Sequence, residues 1–533
     1  MILHSGGKQT FWHGALLLTI AGVITKILSA AYRVPYQNIA GDIGFYIYQQ
    51  VYPFLGIVLA LSLYGFPVMI SKMISENGEN DQKETPILAL SFLTISFFSV
   101  IVFLGLYGFA ELIANLMGDI ELKMPIRMAS FTFLLLPVIS VLRGFYQGKE
   151  NMLPTAISQV MEQSMRVSTI LIVAYYLTVI GSDAYQVGSG AVFGSVTGGF
   201  AAMAVLFMFR RKHLSSGNVL RVVKHFSSTT IKSFPYKKLI FGSLIICITG
   251  LTLVLFQLVD AFTLYSLLIQ SGVEEQYAKT VKGIFDRGQP LIQLGVVLST
   301  SLSLSLVPAV AKEHKAKDHS SLIANTKFAI LVNLIISVGA TSGLVAIMKY
   351  TNLMLFMDIK GTGVLQVLAF SILFLSISLT HAAILQGLGY IKYPAISVIV
   401  GVVLKWILNV MLIPKWGTYG AAFATIMALL LIASINSWIL YKRFKLPRLL
   451  SLLTYTKILL AGGIMIFVIK GYEALFFMFV QDDESRMFGT IFALSSVIVG
   501  ASVYFLTLLL MKVFQSTEFE LLSSLINRRK RNL

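Results

Sequence analysis

The sequence predicts an all-α polytopic membrane protein. About 14 transmembrane helices are expected, as two six-helix lobes in parallel pseudo-repeat around a central cavity, followed by two extra C-terminal helices. Three observations predict this. The 533 residues are 56% apolar and only 12% charged, with mean hydropathy +0.80. A soluble chain carries about 25% charged residues. The apolar residues fall into runs of bilayer-spanning length, and several local marks recur at a nearly constant offset. A cytosolic enzyme, a disordered chain and a disulfide scaffold are excluded by composition.

In chain order the expected spans are 10–37, 44–71, 87–110, 124–147, 154–180, 187–209, 238–268, 284–311, 322–348, 362–386, 392–413, 418–440, 456–480 and 488–512. The first contains Lys26 and Arg33 and shows no small-residue cleavage site, so it reads as a retained helix and not a signal peptide. The eighth opens on Asp286-Arg287.

The net charge is +18. With the N-terminus placed inside, the inner loops and ends carry 25 Lys and Arg and the outer loops 8, the outer set including Lys279 and Lys282. This bias predicts both termini in the cytoplasm and accounts for the charge as topogenic, which removes nucleic acid as a partner. The loop from Arg210 to Lys238 has no acidic residue and suits anionic lipid headgroups. A single cysteine, Cys247 in an apolar run, excludes an intrachain disulfide and a cysteine-rich metal site and reads as packing.

Gln147-Gly148 followed by Pro154 recurs as Gln386-Gly387 followed by Pro394, and Pro67 with Lys72 recurs as Pro308 with Lys312. These offsets of 239 to 241 divide the chain into an N-terminal lobe with its basic loop (1–230), a C-terminal lobe (231–450) and two extra helices with a basic tail (451–533). Six spans per half is an even number, so both halves enter the membrane from the same side.

The informative residues are charges inside spans. Within the spans, Lys26, Arg166 and Lys405 sit deep and Arg33 and Arg287 lie toward the outer half, whereas Arg127, Arg143, Lys327 and Lys457 sit near helix ends where side chains snorkel. A basic side chain at mid-bilayer costs about 3 kcal/mol on insertion scales, so the deep set is expected to be paired or to line a wet cavity. Lys26 and Arg33 are two helical turns apart on one face, and Asp42 in the next loop is a candidate cap for Arg33. Gln159, Glu162, Gln163 and Arg166 form one polar stripe at helical spacing, in which Glu162 and Arg166 suit an i,i+4 pair. With Glu162, Asp260 and Asp286 as the acids in spans, the interior is net positive. That suits an anion, and arginine suits phosphate because its fork binds two oxygens. In a cation-driven multidrug antiporter Glu162, Asp260 and Asp286 would be the working groups instead. In a membrane scaffold for wall or spore-coat enzymes the buried charges would be dispensable.

Gly190, Gly194 and Gly198 repeat every four residues, a face for close helix packing. Tyr46, Tyr48 and Tyr52, with Trp406, Trp416 and Trp438, read as interfacial aromatics. The sequence contains no HExxH, P-loop or G-x-S-x-G motif, so no catalytic residue, metal or cofactor is expected.

The run Leu142-Arg143-Gly144-Phe145-Tyr146-Gln147-Gly148, continuing to Pro154-Thr155-Ala156-Ile157-Ser158-Gln159, Glu162-Gln163 and Arg166, resembles the polysaccharide-synthesis branch of the multidrug/oligosaccharidyl-lipid/polysaccharide (MOP) exporter superfamily, and within it the stage V sporulation protein B-like group. Gly65-Phe66-Pro67, Ile70-Ser71-Lys72, Gly288-Gln289-Pro290, Leu306-Val307-Pro308 and Leu385-Gln386-Gly387 extend the resemblance over about 10–440. It implies a two-lobed fold of fourteen helices in a bacterial plasma membrane and the flipping of an undecaprenyl-linked saccharide, with cell-wall or spore-envelope synthesis proteins as partners. In the related lipid II flippases, basic residues of the first and eighth helices line the cavity. The matching positions are Lys26, with Arg33 beside it, and Arg287, which would engage the pyrophosphate. Arg166 and Lys405 would assist, and Asp42, Asp260 and Asp286 are candidates for coupling. Those flippases carry a basic pair after a proline of the second helix, whereas here Pro53-Phe54-Leu55-Gly56 leads into Ile57-Val58. This departure separates the general class from lipid II as substrate.

Overall fold

The computed structural model describes residues 6–76, 81–213, 234–444, 450–478 and 485–513, and the described residues contain helices and no strand. Most of the basic loop and the C-terminal basic tail lie outside the described residues. Each of the fourteen expected spans contains helix, and the chain is an all-α multi-pass membrane protein.

Helix α1 (Gly6–Ala31) passes through Tyr32 with helical backbone into α2 (Arg33–Ala60). The break expected between the first two spans falls at Gly41, whose φ of 70° is open to glycine and strained for most other residues. A π-helical turn, Leu61–Gly65, ends α2 and leads into α3 (Phe66–Glu76). There follow α4 (Asp81–Gly108), the short α5 (Ala110–Leu116), α6 (Lys123–Gly148), α7 (Leu153–Val179) and α8 (Ala184–His213).

The seventh and eighth spans are more broken than the hydropathy suggests. Residues 238–268 form α9 (Tyr236–Gly250) and α10 (Thr252–Gln270), hinged at Leu251. Residues 284–311 belong to three pieces, α11 (Glu275–Asp286), α12 (Gly288–Gly295) and α13 (Val297–Lys315), interrupted at Arg287 and Val296. Helix α14 (His319–Phe356) begins on the side-chain cap of Asp318, which accepts from the Ser321 amide at 3.1 Å. Then come α15 (Thr362–Ala369) and α16 (Ser371–Gly387). The eleventh and twelfth spans form one long helix, α17 (Lys392–Phe444), kinked at Gly417 (φ 54°) after Pro414. Helices α18 (Leu452–Met478) and α19 (Arg486–Leu510) complete the described chain.

The chain divides into two compact units, one of residues 1–294 with 398–424, the other of 295–397 with 425–533. This division follows packing. The repeat spacing places its boundary elsewhere, near 230.

In the first unit, apolar side chains of α2, α3, α4, α6 and α9 form one core, with Cys247 packed into it and its thiol on the Ala60 carbonyl at 3.3 Å. In the second, α14, α16, α18 and α19 bury a core in which Tyr350 stacks against Phe477 and meets Phe492 edge-on. Gly144 lies against the Pro67 carbonyl and Ile70, and Gly387 against the Val307 carbonyl and Val310.

The glycine face of α8 does pack closely. A Cβ at Gly194 would lie 2.9 Å from the Arg166 carbonyl oxygen, and one at Gly198 would lie 2.6 Å from that of Glu162. These two glycines let α8 press on the turn of α7 that carries both charges. Gly198→Val is therefore expected to lower stability by about 1–3 kcal/mol. Gly105→Ala, at a position with open space around it, is expected to stay within about 0.5 kcal/mol. Unfolding in mixed micelles compares the two.

Candidate functional site

The first unit gathers a set of buried charges from six helices. Glu162 on α7 is its anchor. Arg143 reaches from α6 and donates Nη2 to Glu162 Oε2 at 2.8 Å, while Arg166 donates Nη2 to Glu162 Oε1 at 3.2 Å. Arg143 also donates Nε to Ser158 Oγ at 3.1 Å and Nη1 to the Ser62 carbonyl at 3.2 Å, in the π-helical turn after α2. The expectation that Arg143 snorkels is corrected: its side chain is 0% exposed. One carboxylate thus serves two guanidinium groups, and the trio keeps a positive charge. Gln159 of the same stripe donates to Thr25 Oγ1 on α1 at 3.1 Å. A cavity of about 20 Å³, lined by Glu162, Arg166, Ser62 and Ser195 among apolar neighbours, has room for roughly one water.

Arg33 opens α2 and is wholly buried. Its guanidinium stands over the Tyr52 ring at 4.2 Å, and its three nitrogens make no hydrogen bond of good geometry. Tyr32, Tyr48 and Tyr52 surround it within electrostatic reach, and the Tyr32 and Tyr48 hydroxyls lie 2.7 Å apart. Tyr48 and Tyr52 are within reach of Arg166 as well. The assignment of Tyr46, Tyr48 and Tyr52 to an interfacial belt is corrected: all three are buried, at 0%, 0% and 7% exposure. Tyr46 donates to Asp119 Oδ2 at 2.9 Å, as does Tyr185 at 2.7 Å. Trp406, Trp416 and Trp438 are exposed on the protein surface.

Asp42 does not cap Arg33. It pairs with Arg287 at 2.5 Å and accepts from Gln37 at 2.9 Å. The reason is local geometry: the Gly41 break turns Asp42 toward α11, where Gly283 lies against the Asp42 backbone. Asp260 on α10 pairs with Lys405 at 2.8 Å and accepts from Asn409 at 3.0 Å, both from α17. Asp286 pairs with Lys282 at 2.5 Å. Lys282 and Lys279, assigned to an outer loop by sequence, are 2% and 7% exposed because α11 starts nine residues before the expected span. Lys26 is half-buried on α1, with no ion pair among the described residues.

Together, seven cations (Lys26, Arg33, Arg143, Arg166, Lys282, Arg287 and Lys405) accompany four carboxylates (Asp42, Glu162, Asp260 and Asp286), an excess of three positive charges. No group of three metal-binding side chains occurs among the described residues.

The helical architecture with buried ion pairs defines the class as an all-α multi-pass membrane protein. Its fold matches the lipid II flippase MurJ in an inward closed conformation, with a TM-score of 0.66 and 17% identity over 93% of this chain and all of that one. It also matches an inward-facing multidrug resistance MATE family transporter of the MOP superfamily, with a TM-score of 0.65 and 14% identity over 80% of this chain and 95% of that one. A family profile described as polysaccharide biosynthesis protein matches residues 11–314, and the chain belongs to that family. Among relatives in Bacillus subtilis (strain 168), the uncharacterized membrane protein YabM is 40% identical over 98% of each chain. The lipid II flippase MurJ is 26% identical over 92% of this chain and 93% of that one. Stage V sporulation protein B is 27% identical over 81% of this chain and 83% of that one.

Breaking a buried ion pair from one side leaves the other charge uncompensated. Asp260→Asn or Lys405→Met alone is expected to lower stability by about 3–5 kcal/mol. The double variant is expected to lose clearly less than the sum of the two. A double-mutant cycle of unfolding in mixed micelles checks this.

Proposed function

We propose that this protein is a flippase that moves an undecaprenyl-linked pyrophosphate saccharide, a cell-wall or envelope precursor, from the inner to the outer leaflet by alternating access. The carrying observation is Arg33. A guanidinium stripped of water loses several kcal/mol of hydration, and a desolvated cation–π contact returns about 2 kcal/mol. Tyr52, with the Tyr32 hydroxyl beside it and Asp286 in electrostatic reach but already paired with Lys282, leaves Arg33 without an ion pair of its own among the described residues, and an anionic headgroup would supply one. Lys26, one face and two turns away, adds a second cation without a carboxylate. Arg166 adds a third, because it holds only a share of Glu162.

The names of two relatives, a lipid II flippase and a sporulation protein, support a lipid-linked precursor as the substrate class. In this reading Lys26 and Arg33 engage the pyrophosphate, with Arg166 beside them. Arg287 and Lys405 shape the positive field while tied to Asp42 and Asp260. The prenyl tail stays in lipid. The two halves act as parallel repeats of 1–230 and 231–450, with 451–533 appended. Both termini face the cytoplasm of a bacterial plasma membrane, where the basic loop at 210–238 meets anionic lipids.

A cation-driven antiporter needs a carboxylate free to exchange its ion, and Glu162, Asp260 and Asp286 each already hold a side-chain cation. That arrangement favours the anion reading.

Purified protein in vesicles with a fluorescent undecaprenyl-pyrophosphate saccharide tests it. Lys26→Glu and Arg33→Glu are each expected to slow flipping by about tenfold or more, at normal yield and monodispersity. Lys327→Glu, on an exposed face outside the cluster, is expected to retain it. Unchanged flipping in both of the first two variants overturns the proposal.

A further inference from the structure

Arg143 stands apart in the cluster because nothing about its position asks for a charge. It is completely buried, it joins three segments of the chain, and it and Arg166 take different oxygens of the Glu162 carboxylate. We propose that Arg143 is a positioning residue whose task is to occupy Glu162, so that Arg166 stays a net cation available to the anionic headgroup. This inference rests on the flippase reading above.

The hydrogen-bond inventory supports this division of labour. Arg143 turns four of its five N–H donors to Ser158, to the carbonyl and hydroxyl of Ser62 and to Glu162, so it has little left to offer a ligand. Arg166 makes only two long contacts, to Glu162 at 3.2 Å and Gln163 at 3.4 Å, and its Nε is buried without a hydrogen-bond partner. The Ser195 hydroxyl, which lines the same cavity as Arg166, is likewise buried without a partner. A donor pair left open beside a small cavity, on the cation that the shared carboxylate does not fully neutralise, is the arrangement an anion's oxygen needs.

The π-helical turn makes the Arg143 end firm. Such a turn lengthens its hydrogen bonds from i→i+4 to i→i+5 and leaves carbonyls short of partners. The Ser62 carbonyl in that turn takes Arg143 Nη1, and the Ala60 carbonyl just before it takes the Cys247 thiol. The irregular backbone thus creates the acceptor that holds Arg143 in place. If Arg143 were absent, Glu162 would turn wholly to Arg166 one helical turn away and cancel its charge.

A charge-rescue series separates this role from simple structural support. Binding of undecaprenyl pyrophosphate to the purified full-length protein is measured by native mass spectrometry for wild type, Arg143→Gln, Arg143→Lys and the Arg143→Gln/Glu162→Gln double variant. Loss of one compensating charge about 12 Å from the bound phosphate, at an effective dielectric near 20, predicts about tenfold weaker binding for Arg143→Gln. Removing the acid as well is expected to recover most of that loss, and Arg143→Lys to keep more affinity than Arg143→Gln. A structural strut predicts the opposite, since the double variant loses still more of the network. If wild type binds and the double variant is as weak as Arg143→Gln or weaker, the role of Arg143 is overturned and the flippase reading stands. If wild type itself binds no pyrophosphate lipid, the flippase reading fails and this inference falls with it.

Discussion

The site depends on one carboxylate shared between two guanidinium groups. Glu162 neutralises half of what surrounds it, and the rest of the first unit is arranged to keep it there. Gly194 and Gly198 of α8 lie on the α7 backbone at this turn, Arg143 closes it from α6, and Ser62 holds Arg143 from α2. Each contact uses a different local device: a small-residue face, a buried fork and an irregular turn. All three are needed because an unpaired charge in an apolar interior is tolerated only where the surrounding structure leaves it no alternative.

The other buried acids follow a simpler rule. Asp42, Asp260 and Asp286 each hold a cation at 2.5–2.8 Å, and the partners come from different helices or from the next turn of the same one. Such pairs add little net stability over an apolar replacement, but they tie α2 to the Arg287 break and α10 to α17. The broken eighth span is therefore held at its Arg287 interruption by charge and not by apolar packing alone. Arg33 is the exception. It lies among tyrosines, with the Asp286 carboxylate in electrostatic reach but paired with Lys282, and it has no ion pair of its own among the described residues.

What the sequence made legible follows from distance along the chain. The stripe from Gln159 to Arg166 could be read directly, because i,i+3,i+4,i+7 spacing places residues on one face of one helix. The same held for the α8 glycines and the fourteen apolar runs. Partners from separate helices could not be read. Arg143 looked like a helix-end residue because its depth depends on α3 and α7 packing over it, and Asp42 looked available to Arg33 until the turn at Gly41 redirected it. Lys279 and Lys282 were missed because α11 is too polar for a hydropathy window. Its alternation of Ala278, Lys279 and Lys282 with Ile284 and Phe285 carried an amphipathic signal that pointed to a buried face. The tyrosines of α2 were misread by position alone. Gln49 and Gln50 beside them already argued against lipid contact, because an amide facing hydrocarbon has no partner.

The balance of charge bears on what such a cluster can transport. A site built to carry cations would leave an acid exposed to exchange and keep its bases away. Here the acids are the occupied groups and the open donors belong to Arg33 and Arg166. The sign of the excess would hold even if individual pairs rearranged during transport, because moving Glu162 from one arginine to the other does not change the total. An anion entering the first unit meets a field whose sign is fixed by composition and whose direction is set by which guanidinium the carboxylate favours. Under the flippase proposal, recognition and conformational change would act on the same bond: movement of α6 relative to α7 would redistribute Glu162 between Arg143 and Arg166 and so alter the hold on the cargo.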